Sequence, residues 1–577
     1  MRRIRAAAAT VALLISSLLI VGQGPVANAT TYARISGAGS TWSQNALDQW
    51  RRNVTQYGMT VDYQGTGSSD GRQQFKNGTV DFAVSEIPYG MTEFGVREPP
   101  PTRGYAYMPI VAGGTAFMYN LKIGGKRVTN LRLNGDTVSK IFTGKITNWS
   151  DKQIAADNPG LTLPNRKIIP VVRSDGSGST AQFTLWMSKQ HGDVWNDYCR
   201  RVNKPVPCGL TSYYPVVPGS GFISQSGSLG VSGYTRQNYA EGAITYVEYS
   251  YALTTGFPVA KIENADGYYT EPTASNVAVA LTKATINTNK SSSQYLTQIL
   301  DNVYTYKDPR TYPLSSYSYM ILPTTLAAPL NADKGRTLGA FGYYFLCEGQ
   351  QQAGKLGYSP LPINLVQAGF DQLKRVPGVQ TQSINVAGCD NPTFSSDGTN
   401  TLAKKAPYPA SCDKAGTTQC SSGTGGAAKT STTVKASAGG NHSSGTTSTT
   451  AGSTTSGSPS AGTASAGGTS GSGGTTATTG GASGASGSST TSVDPDTGQA
   501  IGTATGGGDG GSQDIAASTV SVGSDSFWGL RTWLMVLSSL VLLGVVLAPP
   551  TISRRLAARS AARSASAVDD RRGGPRW

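Results

Sequence analysis

The sequence predicts an α/β fold, and three units carry that prediction. Each is an apolar run, then a Gly/Ser/Thr turn, then a segment of helical period. In the first, Ala33-Arg34-Ile35 leads into Gly37-Ala38-Gly39-Ser40-Thr41-Trp42 and then Ser43 to Val54, where Leu47, Trp50 and Val54 share one helix face. In the second, Thr60-Val61-Asp62-Tyr63 leads into Gly65-Thr66-Gly67-Ser68-Ser69 and a short helix closed by Asn77-Gly78. The strand that follows, Val80-Asp81-Phe82-Ala83-Val84, delivers Ser85 and Glu86. In the third, Ile168-Ile169-Pro170-Val171-Val172 leads into Arg173-Ser174-Asp175-Gly176-Ser177-Gly178-Ser179 and a helix starting at Thr180. Strands, amphipathic helices and Gly/Pro punctuation continue to about Cys389, so Thr30 to Cys389 reads as the globular unit.

The turns suggest chemistry. A Gly/Ser turn at a helix start points free backbone N–H groups and the positive end of the helix dipole at one spot, and short hydroxyls add donors. Arg173 supplies a planar fork suited to an oxyanion, and Asp175 lies close enough to hold it. One such turn is an ordinary capped strand–helix junction. Three of them, with one Arg and one carboxylate, point to a convergent oxyanion pocket.

The chain resembles the phosphate-binding proteins of bacterial ABC importers, the PstS family, from about Ile35 to Leu365. The resemblance rests on the three turns, on Asp81-Phe82-Ala83-Val84-Ser85-Glu86, on Ile141-Phe142-Thr143-Gly144-Lys145-Ile146-Thr147-Asn148-Trp149 and on Gly242-Ala243-Ile244-Thr245-Tyr246-Val247-Glu248-Tyr249. It implies two α/β lobes with a hinge, the type II periplasmic-binding-protein fold, closing on one dehydrated phosphate. It also implies the ligand set: hydroxyls of Thr41 and Ser68, the N–H of Trp42, the guanidinium of Arg173 oriented by Asp175, and donors from Ser177, Gly178 and Ser179. Trp42 stands where the family usually has Phe, Ser179 where Thr is common, Glu86 where Asp is usual and Asp70 where Gly is common. A carboxylate at Glu86 accepts the proton of monohydrogen phosphate but meets only lone pairs on sulfate. Sites built on one such bond reject the analogue lacking it by roughly 10⁴–10⁵-fold.

The lobes are expected at 30–109 with 315–390, and at 110–314. Tyr107-Met108-Pro109-Ile110-Val111 is read as one crossing, and Tyr317 to Leu322 as the strand after the return. With Thr41, Ser68 and Glu86 on one lobe and Arg173 to Ser179 on the other, a ligand touching both favours the closed form.

Outside the lobes, Arg2, Arg3 and Arg5, the apolar run Ala6 to Val21 and Ala27-Asn28-Ala29 form a secretory signal over 1–29. In an exported chain, six cysteines point to disulfides; Cys199–Cys208 and Cys412–Cys420 are the local pairs, which leaves Cys347–Cys389 as the preferred third among several pairings. Residues 391–525 read as a Ser/Thr/Gly/Ala-rich disordered linker. The tract is too poor in apolar residues to order itself, above all from about Ser421. Residues 527–548 are apolar apart from Arg531, and the Arg cluster after Pro550 marks the cytoplasmic side, so one transmembrane helix and a basic tail over 549–577 are expected. The binding domain would then sit at the cell surface.

Composition narrows the function classes. The net charge is +15, about half of it in the terminal Arg clusters, and no basic stripe is interleaved with aromatics, so nucleic-acid binding finds no support. Only two histidines, His191 and His442, and no close Cys-x-x-Cys pair argue against a metal site. Gly124-Gly125-Lys126-Arg127 lacks the Ser/Thr and the spacing of a nucleotide loop. No cofactor is expected. A serine hydrolase using Ser177 or Ser68 would need a base, and His191 is the only histidine in the folded part. The leading expectation is a monomeric, membrane-tethered, non-enzymatic receptor that captures inorganic phosphate and passes it to ABC permease and ATPase subunits. The alternative is a surface protein binding another oxyanion, or serving sensing or adhesion on the same fold.

Overall fold

A computed structural model describes residues 32–432. The signal segment, the linker beyond 432, the expected membrane helix at 527–548 and the basic tail lie outside the described residues. Among the described residues no helix is long and apolar enough to cross a membrane.

The first two predicted units form as read. Strand β1 (Ile35–Gly39) turns through Ser40 to Ser43 into helix α1 (Gln44–Val54), which buries Ala46, Leu47, Trp50 and Val54. Strand β2 (Val61–Gln64) leads into α2 (Ser68–Asn77). That helix stops at Gly78, whose left-handed backbone returns its N–H to the carbonyls of Gln74 and Phe75. β3 (Phe82–Ser85) is fully buried and pairs parallel to β1, as β2 does on the other side. Trp50 stacks on Phe345 with ring centroids 5.0 Å apart, tying α1 to the helix Ala332–Leu346.

β4 (Tyr105–Tyr119) joins the two lobes. Its residues 105–114 pair antiparallel with β9 (Ser315–Pro323), and its residues 115–119 pair with β7 (Ala243–Glu248). The change of partner falls between Gly114 and Thr115, a few residues later than the Tyr107–Val111 crossing read from sequence. In the second lobe β5 (Ile169–Arg173) lies between β6 (Ile223–Gln225) and β7, parallel to both. The continuous sheet order is β6-β5-β7-β4-β9-β3-β1-β2, with β8 (Val259–Glu263) also pairing β4. Helices α3 (Gly178–Gln190) and α4 (Gly227–Thr235) start at the ends of β5 and β6, and α5 (Ala274–Leu281) and α6 (Ala332–Leu346) follow. The second core is aromatic: Phe117, Phe142, Phe183 and Tyr246 meet with centroids 5.1–5.8 Å apart.

Two stretches depart from the sequence expectation. Residues inside the stretch assigned to the second lobe, 285–299, dock on the first: Gln298 bonds the Tyr319 hydroxyl through its N–H at 2.7 Å and the Tyr317 carbonyl through its side chain at 3.1 Å, and Gln294 bonds the Tyr89 carbonyl at 2.8 Å.

The correction at 391–432 is larger, because the sequence reads it as the start of the disordered linker and the chain there is packed. Asn391 and Thr393 bond the Leu361 carbonyl beside the Cys347–Cys389 disulfide of the first lobe. Ala403 and Ala406 pack on α5, and Arg310 reaches their carbonyls. The loop closed by Cys412–Cys420 then covers the second lobe, where buried Arg132 donates to the carbonyls of Cys412 at 2.9 Å and Thr417 at 2.7 Å. Lys261 pairs with Asp413 at 2.7 Å. Apolar content misleads here because this strap is held by its backbone carbonyls and Thr hydroxyls, with its last loop closed by the Cys412–Cys420 disulfide. Little apolar surface is involved.

The third disulfide, Cys199–Cys208, is also present. Gly124-Gly125 forms the tip of a tight hairpin between Lys122–Ile123 and Lys126–Arg127, with φ of 57° and 78°.

Candidate functional site

The three glycine turns converge between the lobes. Glu86, at the end of β3, is 1% exposed. Its Oε1 accepts from the hydroxyls of Ser40 at 2.5 Å and Ser318 at 2.9 Å, and its Oε2 accepts from Ser68 at 2.8 Å. Burial pushes the Glu86 carboxyl above its ordinary range, and the three hydroxyls pull against that shift. The Ser68 hydroxyl in turn accepts the N–H of Gly178 at 3.1 Å, the first residue of α3 and the second lobe's contribution. Gly178 has room for no side chain: a Cβ there would lie 1.9 Å from Glu86 Oε2 and 2.7 Å from Ser68 Oγ. Gly67, with φ of +99°, meets the second lobe in the same way, its would-be Cβ 2.6 Å from Asp175 Oδ2.

Arg173 ends β5, only 2% of its side chain exposed. Its Nε donates to Asp175 Oδ1 at 2.7 Å and its Nη2 to Asp175 Oδ2, a two-pronged pairing that fixes the plane of the guanidinium. Burial alone would raise the Asp175 carboxyl; the bonds and charge of Arg173, with the Gly227 N–H at 2.9 Å, outweigh it and hold the group below its ordinary range. Arg173 Nη1 reaches Ser228 Oγ at 3.4 Å, and Ser228 bridges the lobes: its N–H donates to Thr41 Oγ1 at 3.1 Å, and the two hydroxyls are 2.9 Å apart.

The remaining expected residues surround this cluster. The Trp42 N–H donates to Ser40 Oγ at 3.0 Å, and its carbonyl accepts from the Tyr358 hydroxyl at 2.7 Å. Ser177 caps α3, its hydroxyl accepting the Thr180 N–H at 3.2 Å, so only its proton is left to give. The Ser179 hydroxyl is buried and has no hydrogen-bond partner among the described residues. Asp70 faces solvent in the first turn of α2, bonded by Gln74, so the departure from Gly there does not enter the cluster. His191 sits between helices with its ring 4.7 Å from Trp186, away from Ser68 and Ser177; no His/Cys/Asp/Glu group fit for a metal exists among the described residues.

Sequence reasoning missed three members. Ser40 adjoins Thr41 in a turn that was read, but its own carboxylate partner was not. Ser318 is a hydroxyl inside the apolar run Tyr317 to Leu322. Ser228 lies in a fourth small-residue helix start, Ser226-Gly227-Ser228, the signal that would have found it.

A family model, the PBP superfamily domain, matches residues 24–348, and the two-lobed α/β fold is that of this superfamily of solute-binding proteins. Among curated relatives, the phosphate-binding protein PstS of Xylella fastidiosa is 31% identical over 344 residues, covering 59% of this chain and 85% of its own. That of Haemophilus influenzae is 29% identical over 358 residues, covering 62% and 96%. A solved phosphate-binding protein from Stenotrophomonas maltophilia shares 17% identity with a TM-score of 0.43, over 64% of this chain and 99% of that one. Within the superfamily, the chain belongs to the PstS phosphate-binding protein family.

Proposed function

We propose that this chain captures inorganic phosphate outside the cytoplasm and hands it to an ABC importer, closing its two lobes on the ion. The observation that carries this reading is the inter-lobe chain from the Gly178 N–H to Ser68 to the buried Glu86 carboxyl. Donors from both lobes and a single carboxylate meet where no bulk water reaches, which suits an oxyanion that brings its own hydrogen. The ligand set is Thr41, Trp42, Ser68, Glu86, Arg173, Ser177, Gly178 and Ser179, with Asp175 orienting Arg173. Ser68, the helix dipole of α3 and the Gly178 and Ser179 amides supply neutral dipoles, and Arg173 supplies a charge already half-satisfied by Asp175. Such a site discriminates by hydrogen-bond matching and depends little on long-range attraction.

Binding energy realised only in the closed form drives closure. The protein acts as a monomeric receptor without catalysis, and a C-terminal helix at 527–548 tethers it to the plasma membrane; that part rests on the sequence alone. Titration calorimetry of the chain with phosphate, arsenate, sulfate and molybdate tests the reading. Tight binding of phosphate with sulfate excluded is expected, and binding of sulfate but not phosphate overturns it.

A further inference from the structure

Between β3 and β4 the first lobe sends out a small hairpin, Thr92–Glu93 with Val96–Arg97, that no part of the proposed ligand set uses. It is rooted in its own lobe: Glu98 pairs with buried Arg72 at 3.0 Å, and the Glu98 N–H bonds the Met91 carbonyl at 2.9 Å. Its other side meets the second lobe. Glu93 Oε2 accepts the Ser212 N–H at 2.7 Å and the Thr211 hydroxyl at 3.1 Å, while Oε1 accepts the Ser212 hydroxyl at 2.7 Å. Phe94, next along, faces Lys204 of the second lobe with the ammonium 4.8 Å from its ring centroid. These contacts border a cleft of about 640 Å³ between the lobes, lined by Met91, Phe94, Val96, Lys204 and Tyr213.

The loop that Glu93 grips is not a passive partner. Thr211 exchanges hydrogen bonds with the Thr184 hydroxyl of α3 at 2.9 and 3.0 Å. The Ser212 carbonyl accepts the N–H of Ser177 at 2.9 Å, in the Arg173–Ser179 turn itself. Ser212 Oγ also receives the hydroxyl of Ser69, the neighbour of Ser68, at 3.0 Å. One carboxylate of the first lobe therefore holds, by three bonds, the loop that fixes the second lobe's anion turn.

We infer that Glu93 is a positioning residue for ligand capture: a clasp at the mouth of the cleft that joins Ser212 only when the lobes are closed and so slows release of the ion. This rests on the phosphate reading for its ligand. The bonds are charge-assisted, about twice as strong as neutral ones, and they form between lobes, so they stabilise the closed state and leave the open state as it is. Affinity changes confined to the closed state appear in the dissociation rate.

The test uses the full chain and inorganic phosphate. In stopped-flow measurements Glu93→Ala should release phosphate about tenfold faster with a nearly unchanged association rate and an unchanged preference over sulfate. Ser212→Ala, losing one of the three bonds, should show a smaller effect. Adding it to Glu93→Ala should cost only the Ser69–Ser212 contact, so the double variant falls short of the sum of the two single effects, the non-additivity expected of a shared interaction. Glu93→Gln keeps an acceptor for the Ser212 N–H and should recover most of the slow release. A wild-type release rate in Glu93→Ala, additive effects in the pair, or equal loss of thermal stability with and without phosphate would each overturn the clasp. Hydrogen exchange at the Ser212 amide, measured with whichever oxyanion protects it in the parent chain, reads the clasp apart from the ligand's identity. Protection lost in Glu93→Ala supports the clasp and unchanged protection sinks it, even if phosphate failed to bind and the functional reading fell.

Discussion

The Gly178 amide of the second lobe donates to the Ser68 hydroxyl of the first at 3.1 Å, and Ser68 passes the contact on to the buried carboxyl of Glu86 at 2.8 Å. The contact joins the turn after β5, which opens α3 at Gly178, to the turn after β2, which opens α2 at Ser68, with Glu86 following the end of β3. Closing the hinge brings a helix N-terminus onto a hydroxyl and a carboxylate in one step.

Gly178→Ala follows directly. The added methyl would lie 1.9 Å from Glu86 Oε2, and Glu86 can make room only by giving up its bonds to Ser40, Ser68 and Ser318. The lobes should stop short of closure, with phosphate affinity down by at least about a hundredfold, since several closed-state hydrogen bonds at about 0.5–1.5 kcal/mol each are lost together. Calorimetry gives the affinity, and small-angle scattering at saturating phosphate should show a larger radius of gyration than the parent. Parental affinity in this variant would mean that the closed geometry is not the binding geometry.

Glu86→Gln separates recognition of the ligand's proton from general anion binding. The carboxamide presents an N–H where the carboxylate presented a lone pair, so sulfate gains a donor and monohydrogen phosphate loses its acceptor. The preference for phosphate should fall from roughly 10⁴-fold to roughly tenfold or less. An unaltered preference in competition calorimetry would remove Glu86 from the specificity.

Why the turns were legible and other parts were not has a physical basis. Gly37 to Trp42, Gly65 to Ser69 and Arg173 to Ser179 announce themselves because a helix start needs a cap and an anion needs short donors, and both demands select the same small residues. Glu86 was legible only as a strand-end carboxylate; its place in the ligand set came from the family resemblance, where it stands in the position of an Asp. Ser318 was hidden because a lone hydroxyl in an apolar strand looks like any buried serine until its partner is known. The strap at 391–432 was missed because hydropathy counts side chains, and this segment is held through Arg132 and Asn130, which bond the carbonyls of Cys412, Thr417 and Cys420.

A second buried carboxyl should make stability depend on pH. Glu248 lies at the end of β7, opposite Thr115 where β4 changes partner. Its Oε2 accepts the Ser250 N–H at 2.7 Å, and its Oε1 has no hydrogen-bond partner among the described residues. Burial pushes its pKa well above the ordinary carboxylate value, and burial raises Glu86 in the same sense. In the window between the ordinary value and the raised one the folded state binds more protons than the unfolded, so stability falls as pH rises through it. Glu248→Gln removes one such group. Its stability relative to the parent, from urea denaturation, should improve as pH rises above the ordinary carboxylate range; a difference constant with pH would show that Glu248 does not titrate with folding.

The strap sets where the folded part ends. A chain stopped after Ala410 loses Asp413, the ion-pair partner of Lys261, and two of the three carbonyls that receive the Arg132 guanidinium. Arg132 is 1% exposed, and its one remaining acceptor is the Asp157 carbonyl at 3.0 Å. Stranding a buried charge costs roughly 3–5 kcal/mol when its partners are removed, less whatever water entering the gap restores. Loss of the loop closed by Cys412–Cys420 exposes the same surface and adds no relief. Chains ending after Thr432 and after Ala410 should therefore differ in urea midpoint by an amount that corresponds to several kcal/mol, the longer being the more stable. The shorter should regain part of the loss through Arg132→Met, which replaces the stranded charge by an apolar chain of similar length. Equal midpoints for the two chains would show that 411–432 lies on the second lobe without stabilising it, and that the sequence was right to read this stretch as linker.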